Sequence, residues 1–124
     1  MNRFVFILLV LGLSSNIANA QNKADFCKKW HLVGYIYWGY TFAPEEDERS
    51  DYLHFYENRT FKSIDEGVFE KGTWKWNVKT KYLFLYEKNS ATPLKLKVLS
   101  LSKTEMIVLL KDDEDEIKVK FRTR

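Results

Sequence analysis

One cysteine, two histidines, two prolines and five glycines in 124 residues place several kinds of protein out of reach. With Cys27 alone, no disulfide forms within the chain, so the fold must hold together by packing. Ala24-Asp25-Phe26 precedes Cys27 where a lipid-anchored cysteine would follow a small, apolar run. A half-buried thiol, or one paired between molecules, is what the residue offers. His31 and His54 have no serine or cysteine at a recognisable nucleophile elbow. Zinc needs three or four His, Cys or carboxylate ligands, and no such cluster appears. Carboxylate pairs occur only in polar loops, where nothing would raise one pKa selectively. The expectation is a protein that is not an enzyme and takes no cofactor or metal. There is no internal repeat, low-complexity stretch or linker.

Only one long apolar run is present, Phe4 to Leu13, and it is too short to span a bilayer. Arg3 before it and Ala18-Asn19-Ala20 after it complete the pattern of a secretory signal peptide. Residues 1–20 therefore read as a leader cut near Ala20, residues 21–29 as an N-terminal segment, and 30–124 as one domain. The implied location is periplasmic or secreted. After residue 20 the chain holds 19 basic and 17 acidic residues, a net +2 that gives no argument for nucleic acid.

What is abundant is alternation. Gly72-Thr73-Trp74-Lys75-Trp76, Leu94-Lys95-Leu96-Lys97-Val98 and Ile117-Lys118-Val119-Lys120-Phe121 each carry one apolar face and one polar face. That is the pattern of a strand with a dry inner side and a wet outer side. Eight strands are predicted, at 30–42, 51–57, 60–65, 68–77, 81–87, 94–101, 104–111 and 115–123. A helical period extends over nothing longer than Asn22 to Trp30, so any helix is short and N-terminal. No connection is long enough for a parallel crossover. The predicted fold is all-β: one antiparallel up-and-down barrel of about eight strands, closed because a small domain cannot leave two long edges exposed.

Odd-numbered connections of such a meander lie at one end and even-numbered ones at the other. The first set comprises 43–50, 66–67, 88–93 and 112–114; the second is the tight turns 58–59, 79–80 and 102–103. One end is roomy and the other laced shut. With their flanking residues, the rim segments 45–51, 65–66, 87–93 and 111–116 at the roomy end sum to −10, against +12 for the rest of the chain after residue 20. A mouth rimmed by Glu45, Glu46, Asp47, Asp112, Asp113 and Glu114 would draw cationic ligands or a basic partner protein.

Strand parity points Trp30, Phe61, Trp76, Val98 and Phe121 inward at the floor. Toward the mouth it points Leu53, Leu85, Leu94, Leu109 and Ile117 inward, with Phe55 and Trp74 between the layers and Phe42 at the top of the first strand. An eight-stranded barrel is filled by its own side chains or holds one small ligand. Both outcomes fit these residues. The first strand is aromatic on both faces, and Gly34 and Gly39 are expected bulge sites.

With these features the chain resembles the lipocalin-like exported domains of bacteria, in the calycin group of ligand-binding barrels. The resemblance rests on the leader, Trp30 opening the first strand, the long loop 43–50, and Tyr52-Leu53-His54-Phe55, Thr60-Phe61 and Gly72-Thr73-Trp74. It implies a last-strand arginine, Arg122 or Arg124, packed across Trp30 at the floor, although Lys28 stands where the family's motif has glycine.

The leading expectation is a barrel that binds a small apolar or amphipathic molecule through its mouth. The alternative is a filled barrel, an exported inhibitor or immunity-type factor, whose acidic loops meet a basic partner. Outward tyrosines could form a dimer surface, but strand propensity and cover from residues 22–29 explain them more simply. Asp112 to Glu116 lacks the glycine and spacing of a calcium loop and reads as solvated hairpin charge. Asn58-Arg59-Thr60 fits a glycosylation acceptor, yet a tight turn uses the same residues.

Overall fold

The computed structural model describes residues 23–112 and 115–124. The leader, Asp113, Glu114 and the side chain of Asp112 lie outside the described residues. A one-turn helix, α1 (Lys23–Phe26), precedes nine strands: β1 (Lys29–Tyr37), β2 (Tyr40–Phe42), β3 (Tyr52–Phe55), β4 (Thr60–Asp65), β5 (Val68–Asn77), β6 (Tyr82–Glu87), β7 (Leu94–Leu101), β8 (Glu105–Asp112) and β9 (Asp115–Arg122). All pairings are antiparallel and follow chain order from β3 to β9. β1 bonds to both β3 and β9, which closes an eight-stranded barrel, with β2 as an extra strand on the upper part of β1. Its general shape is that of the calycin barrels.

Turn chemistry sets the strand ends. Glu66 and Gly67 both have positive φ, 51° and 81°, between the paired Asp65 and Val68. Two left-handed residues in a two-residue loop make the hairpin turn whose twist matches the strands. Asn77 Oδ1 accepts from the amides of Lys79 and Thr80, and Asn58 Oδ1 accepts from the Thr60 amide at 3.1 Å. Asparagine thus terminates strands at the closed end by replacing a backbone acceptor.

The first strand differs from its predicted form. Residues 30–42 are not one strand, because Trp38 (φ 50°) and Gly39 (φ 81°) fold the chain back and pair Tyr37 with Tyr40. Gly39 is a turn residue and not a bulge. Gly34 does mark a bulge, where the β1–β9 register shifts between Leu32 and Gly34. A Cβ at Gly34 would sit 2.1 Å from the Phe42 carbonyl oxygen, so glycine lets β2 lie this close.

The floor is an aromatic plug. Trp30, Phe55, Phe61 and Trp74 are all at most 2% exposed. Phe26 enters from α1 and is fully buried, with ring centroids 4.7 Å from Trp76, 6.2 Å from Trp74 and 6.5 Å from Phe55. The Trp30 indole N–H donates to the Phe26 carbonyl at 3.0 Å, which satisfies the one polar group of a buried indole. The cation at Trp30 is Lys28, whose Nζ lies 5.7 Å from the ring; Arg122 instead bonds Glu105 at 2.9 Å. Arg122 therefore does not supply the arginine expected across Trp30. A lysine two residues before the tryptophan reaches back over it, while Arg122 faces outward on β9.

Segment 23–29 mainly plugs the floor, and its last residue, Lys29, lies on an outer tyrosine. Lysines cover the outer aromatics: Lys29 lies 4.2 Å from the Tyr52 ring centroid, Lys62 5.8 Å from Tyr56, Lys75 5.6 Å from Tyr86 and Lys95 6.0 Å from Phe84. Their stems shield aromatic faces while their ammonium groups stay in water.

Candidate functional site

Above the floor the barrel is open. A cavity of about 410 Å³ occupies the upper interior, within the range of small-molecule sites. Phe61, Leu85, Leu96, Val108, Val119 and Phe121 form its apolar lower wall. Strand parity continues this surface upward on β4, β5 and β6, but the residue types change. Ser63 follows Phe61, Glu70 lies on the Trp74 side of β5, and Glu87 follows Leu85; Ser63 and Glu70 are directly paired. Asp51, Asp65 and Glu66 complete an acidic arc at the top of the cavity.

The loop before β3 is tied to this arc. A 3-10 turn, Glu46–Glu48, turns the Glu48 carboxylate inward, where it accepts from the Tyr35 hydroxyl and from the Glu45 amide. Asp51 Oδ1 accepts from the Glu66 amide at 2.9 Å, joining the loop to the β4–β5 turn. Glu48 and Asp51 are 9% and 6% exposed, and with Asp65 they bring carboxylate oxygens within 4.8 Å of one another. An all-oxygen donor set suits a hard cation, but the hydrogen bonds to Tyr35, Glu45 and Glu66 give two of these carboxylates structural work already.

Burial pushes the Asp51 carboxyl up to about 6, helped by Asp65 and opposed by the Glu66 amide. Burial and the bond to Glu48 also push the Tyr35 hydroxyl up. The Glu87 carboxyl is raised by burial first, then by Glu70 and Asp65. A pKa raised in the folded state means that Asp51 supports the fold fully only below its unfolded value, near pH 4, and loses that support as pH rises through about 6. Asp51→Asn keeps the acceptor and removes the charge. It should raise stability by about 1–2 kcal/mol at pH 8 and change little at pH 4. Thermal melts in which the variant is less stable at pH 8 would contradict this account of the loop.

The sequence-predicted residues divide clearly. Leu53, Leu85 and Leu94 line the cavity, Leu94 at its rim and 38% exposed. Phe55 and Trp74 lie beneath it, and Ile117 packs against the core beside Leu110. Leu109 does not face inward. It sits in an outer groove with Tyr82, Lys95, Lys97 and Lys111, because Met106, Val108 and Leu110 hold the inward positions of β8. Phe42, on β2, is 49% exposed and lies 5.9 Å from the Tyr37 ring, above the cavity and outside its lining.

Of the predicted rim, Glu45, Glu46 and Asp47 belong to the loop over the mouth. Asp112 ends β8 at the same end, and Asp113 and Glu114 lie outside the described residues. At the closed end, Lys28, Lys29, Lys103 and Arg124 surround a shallow basic groove. Among the described residues no helix is long and apolar enough to cross a membrane.

Sequence reasoning missed Tyr35, Asp51, Ser63, Asp65, Glu70 and Glu87. Parity offered a signal for three of them: counting by twos from Phe61, Trp74 and Leu85 reaches Ser63, Glu70 and Glu87. The comparisons with known proteins add no relative: no protein-family model matches the chain, and no curated protein does.

Proposed function

We propose that the protein is an exported, lipocalin-like barrel that binds one small apolar or amphipathic molecule in its upper interior. The observation that carries this reading is the cavity itself, about 410 Å³ above a sealed aromatic floor. The alternative, a protein-binding module acting through its loops, would have the interior filled. Export is supported by the leader pattern of residues 1–20.

The apolar lower wall supplies the driving force, since enclosing a ligand's hydrocarbon removes it from water at about 25 cal/mol per Å². A deletion would only enlarge such a site, so the informative variant fills it. Ser63→Phe places a ring at an inward, cavity-lining position. Titration with N-phenyl-naphthylamine, an uncharged fluorophore, should give saturable binding to the native protein and a loss of at least about tenfold in affinity in the variant, with a melting temperature no lower. Equal binding by both proteins would place the probe outside the barrel and overturn the proposal.

A further inference from the structure

We infer that the molecule this cavity takes is a cation-headed amphiphile, of the class of aliphatic amines, with its tail on the apolar floor and its head against β4, β5 and β6. The inference rests on the ligand-binding reading above and deepens it. Its first ground is that the cavity wall is divided by chemistry. Leu94, Leu96, Val108, Leu110 and Val119 face inward from β7, β8 and β9. Across from them, Ser63, Asp65, Glu70 and Glu87 face inward from three adjacent strands.

The second ground is that these carboxylates lack basic partners. Among the described residues, no lysine, arginine or histidine lines the cavity. Among the described residues the ion pairs are those of Glu105 with Lys120 and Arg122, on the outer wall. Bases are not scarce, since 20 lysines and arginines are present. Lys62, Lys71 and Lys88, the nearest by strand position, line a groove on the other side of the same strands. Glu70 and Glu87 are half-buried, Asp65 exposed at the rim, and half-buried carboxylates without a counter-charge carry a desolvation cost that a bound cation would offset.

A third, independent ground is Ser63. The residue is 6% exposed and lines the cavity. Its hydroxyl makes no hydrogen bond to the described residues, yet it is not an enclosed, unsatisfied group, so it opens onto the cavity. Glu70 is its direct cross-strand partner. An ammonium group beside this pair has three donors and finds a hydroxyl and a carboxylate as acceptors. A fatty acid entering head-up would instead meet like charge on three strands, so the same wall excludes anionic amphiphiles of equal length.

The test compares decylamine, decanol and decanoate by calorimetric titration of the purified protein. Decylamine should bind at least about tenfold tighter than decanol, and decanoate at least about tenfold weaker than decanol. In Glu70→Gln/Glu87→Gln the advantage of the amine should fall to within about threefold, and in the native protein it should shrink as salt screens the contact. Decanol binding as tightly as decylamine would overturn the cationic assignment and leave the cavity as an apolar site. An amine preference undiminished in the glutamine variant would overturn it as well. Failure of all three to bind would overturn the ligand-binding reading itself. The head-group series on the native protein decides these outcomes even if the double variant does not fold.

Discussion

Replacing Trp74 with alanine should lower the unfolding free energy by about 3–5 kcal/mol, the range for deleting a large buried aromatic. The residue is 2% exposed, its ring lies 5.2 Å from Phe55 and 6.2 Å from Phe26, and its indole N–H donates to the Tyr56 carbonyl at 3.0 Å. Alanine removes the aromatic packing, leaves a void between β5 and the floor, and leaves the Tyr56 carbonyl with the Arg59 amide as its donor. With a single cysteine, no crosslink limits the unfolded chain and shares the loss. Chemical denaturation would show the midpoint falling with an unchanged denaturant slope. A loss under about 1 kcal/mol would mean that the inward face of β5 is misassigned and with it the whole register, since a one-residue slip turns every side chain over.

Phe26→Ala should cost about 3–4 kcal/mol by the same physics. This effect is the less expected one, because Phe26 lies in a four-residue helix that could not persist alone. What fixes α1 is its tertiary seat: Phe26 is fully buried against Phe55, Trp74 and Trp76, and its carbonyl receives the Trp30 indole N–H. The N-terminal segment is therefore the lower lid of the barrel, and its removal opens the floor to water. Trp74 and Phe26 are in contact, so their losses should not add, and the double variant should fall short of the sum. Additive losses, or a Phe26→Ala loss below about 1 kcal/mol, would show that the segment does not dock on the floor.

The barrel was legible because its strands announce themselves twice, by alternation and by turn residues. Leu94-Lys95-Leu96-Lys97-Val98 admits one inward face, and β7 takes it. The first strand was harder to read, since aromatics at five of the eight positions from Tyr35 to Phe42 fall on both faces and give no parity, and only the backbone freedom of Gly39 marks the hairpin. Leu109 failed for a related reason: Ile107, Leu109 and Leu110 are all apolar, so the pattern around 109 fits either face, and pairing with β9 decides it. The acidic cavity wall breaks the apolar alternation of β5 and β6 and so carries no hydrophobic signal. Glutamate at an inward position looks like the end of a strand, whereas Glu70 and Glu87 sit in the ladder and keep its parity. Asp51 and Glu48 could not be found by periodicity at all, because their burial depends on a loop folding back onto Tyr35 and the β4–β5 turn.

The central claim is that small molecules enter the upper barrel. Amide chemical-shift mapping by NMR, with decylamine titrated into the isotopically labelled protein, tests it most directly. The account predicts saturable shifts at Ser63, Glu70, Leu85, Leu96, Val108 and Glu87, with the floor residues Trp30 and Phe55 little changed. The contrary result is specific too. Tyr37, Trp38 and Tyr40 form an exposed aromatic hairpin tip, with Trp38 at 92% exposure, that any amphiphile could touch. Shifts confined to that tip, or spread without saturation over the outer wall, would contradict the claim.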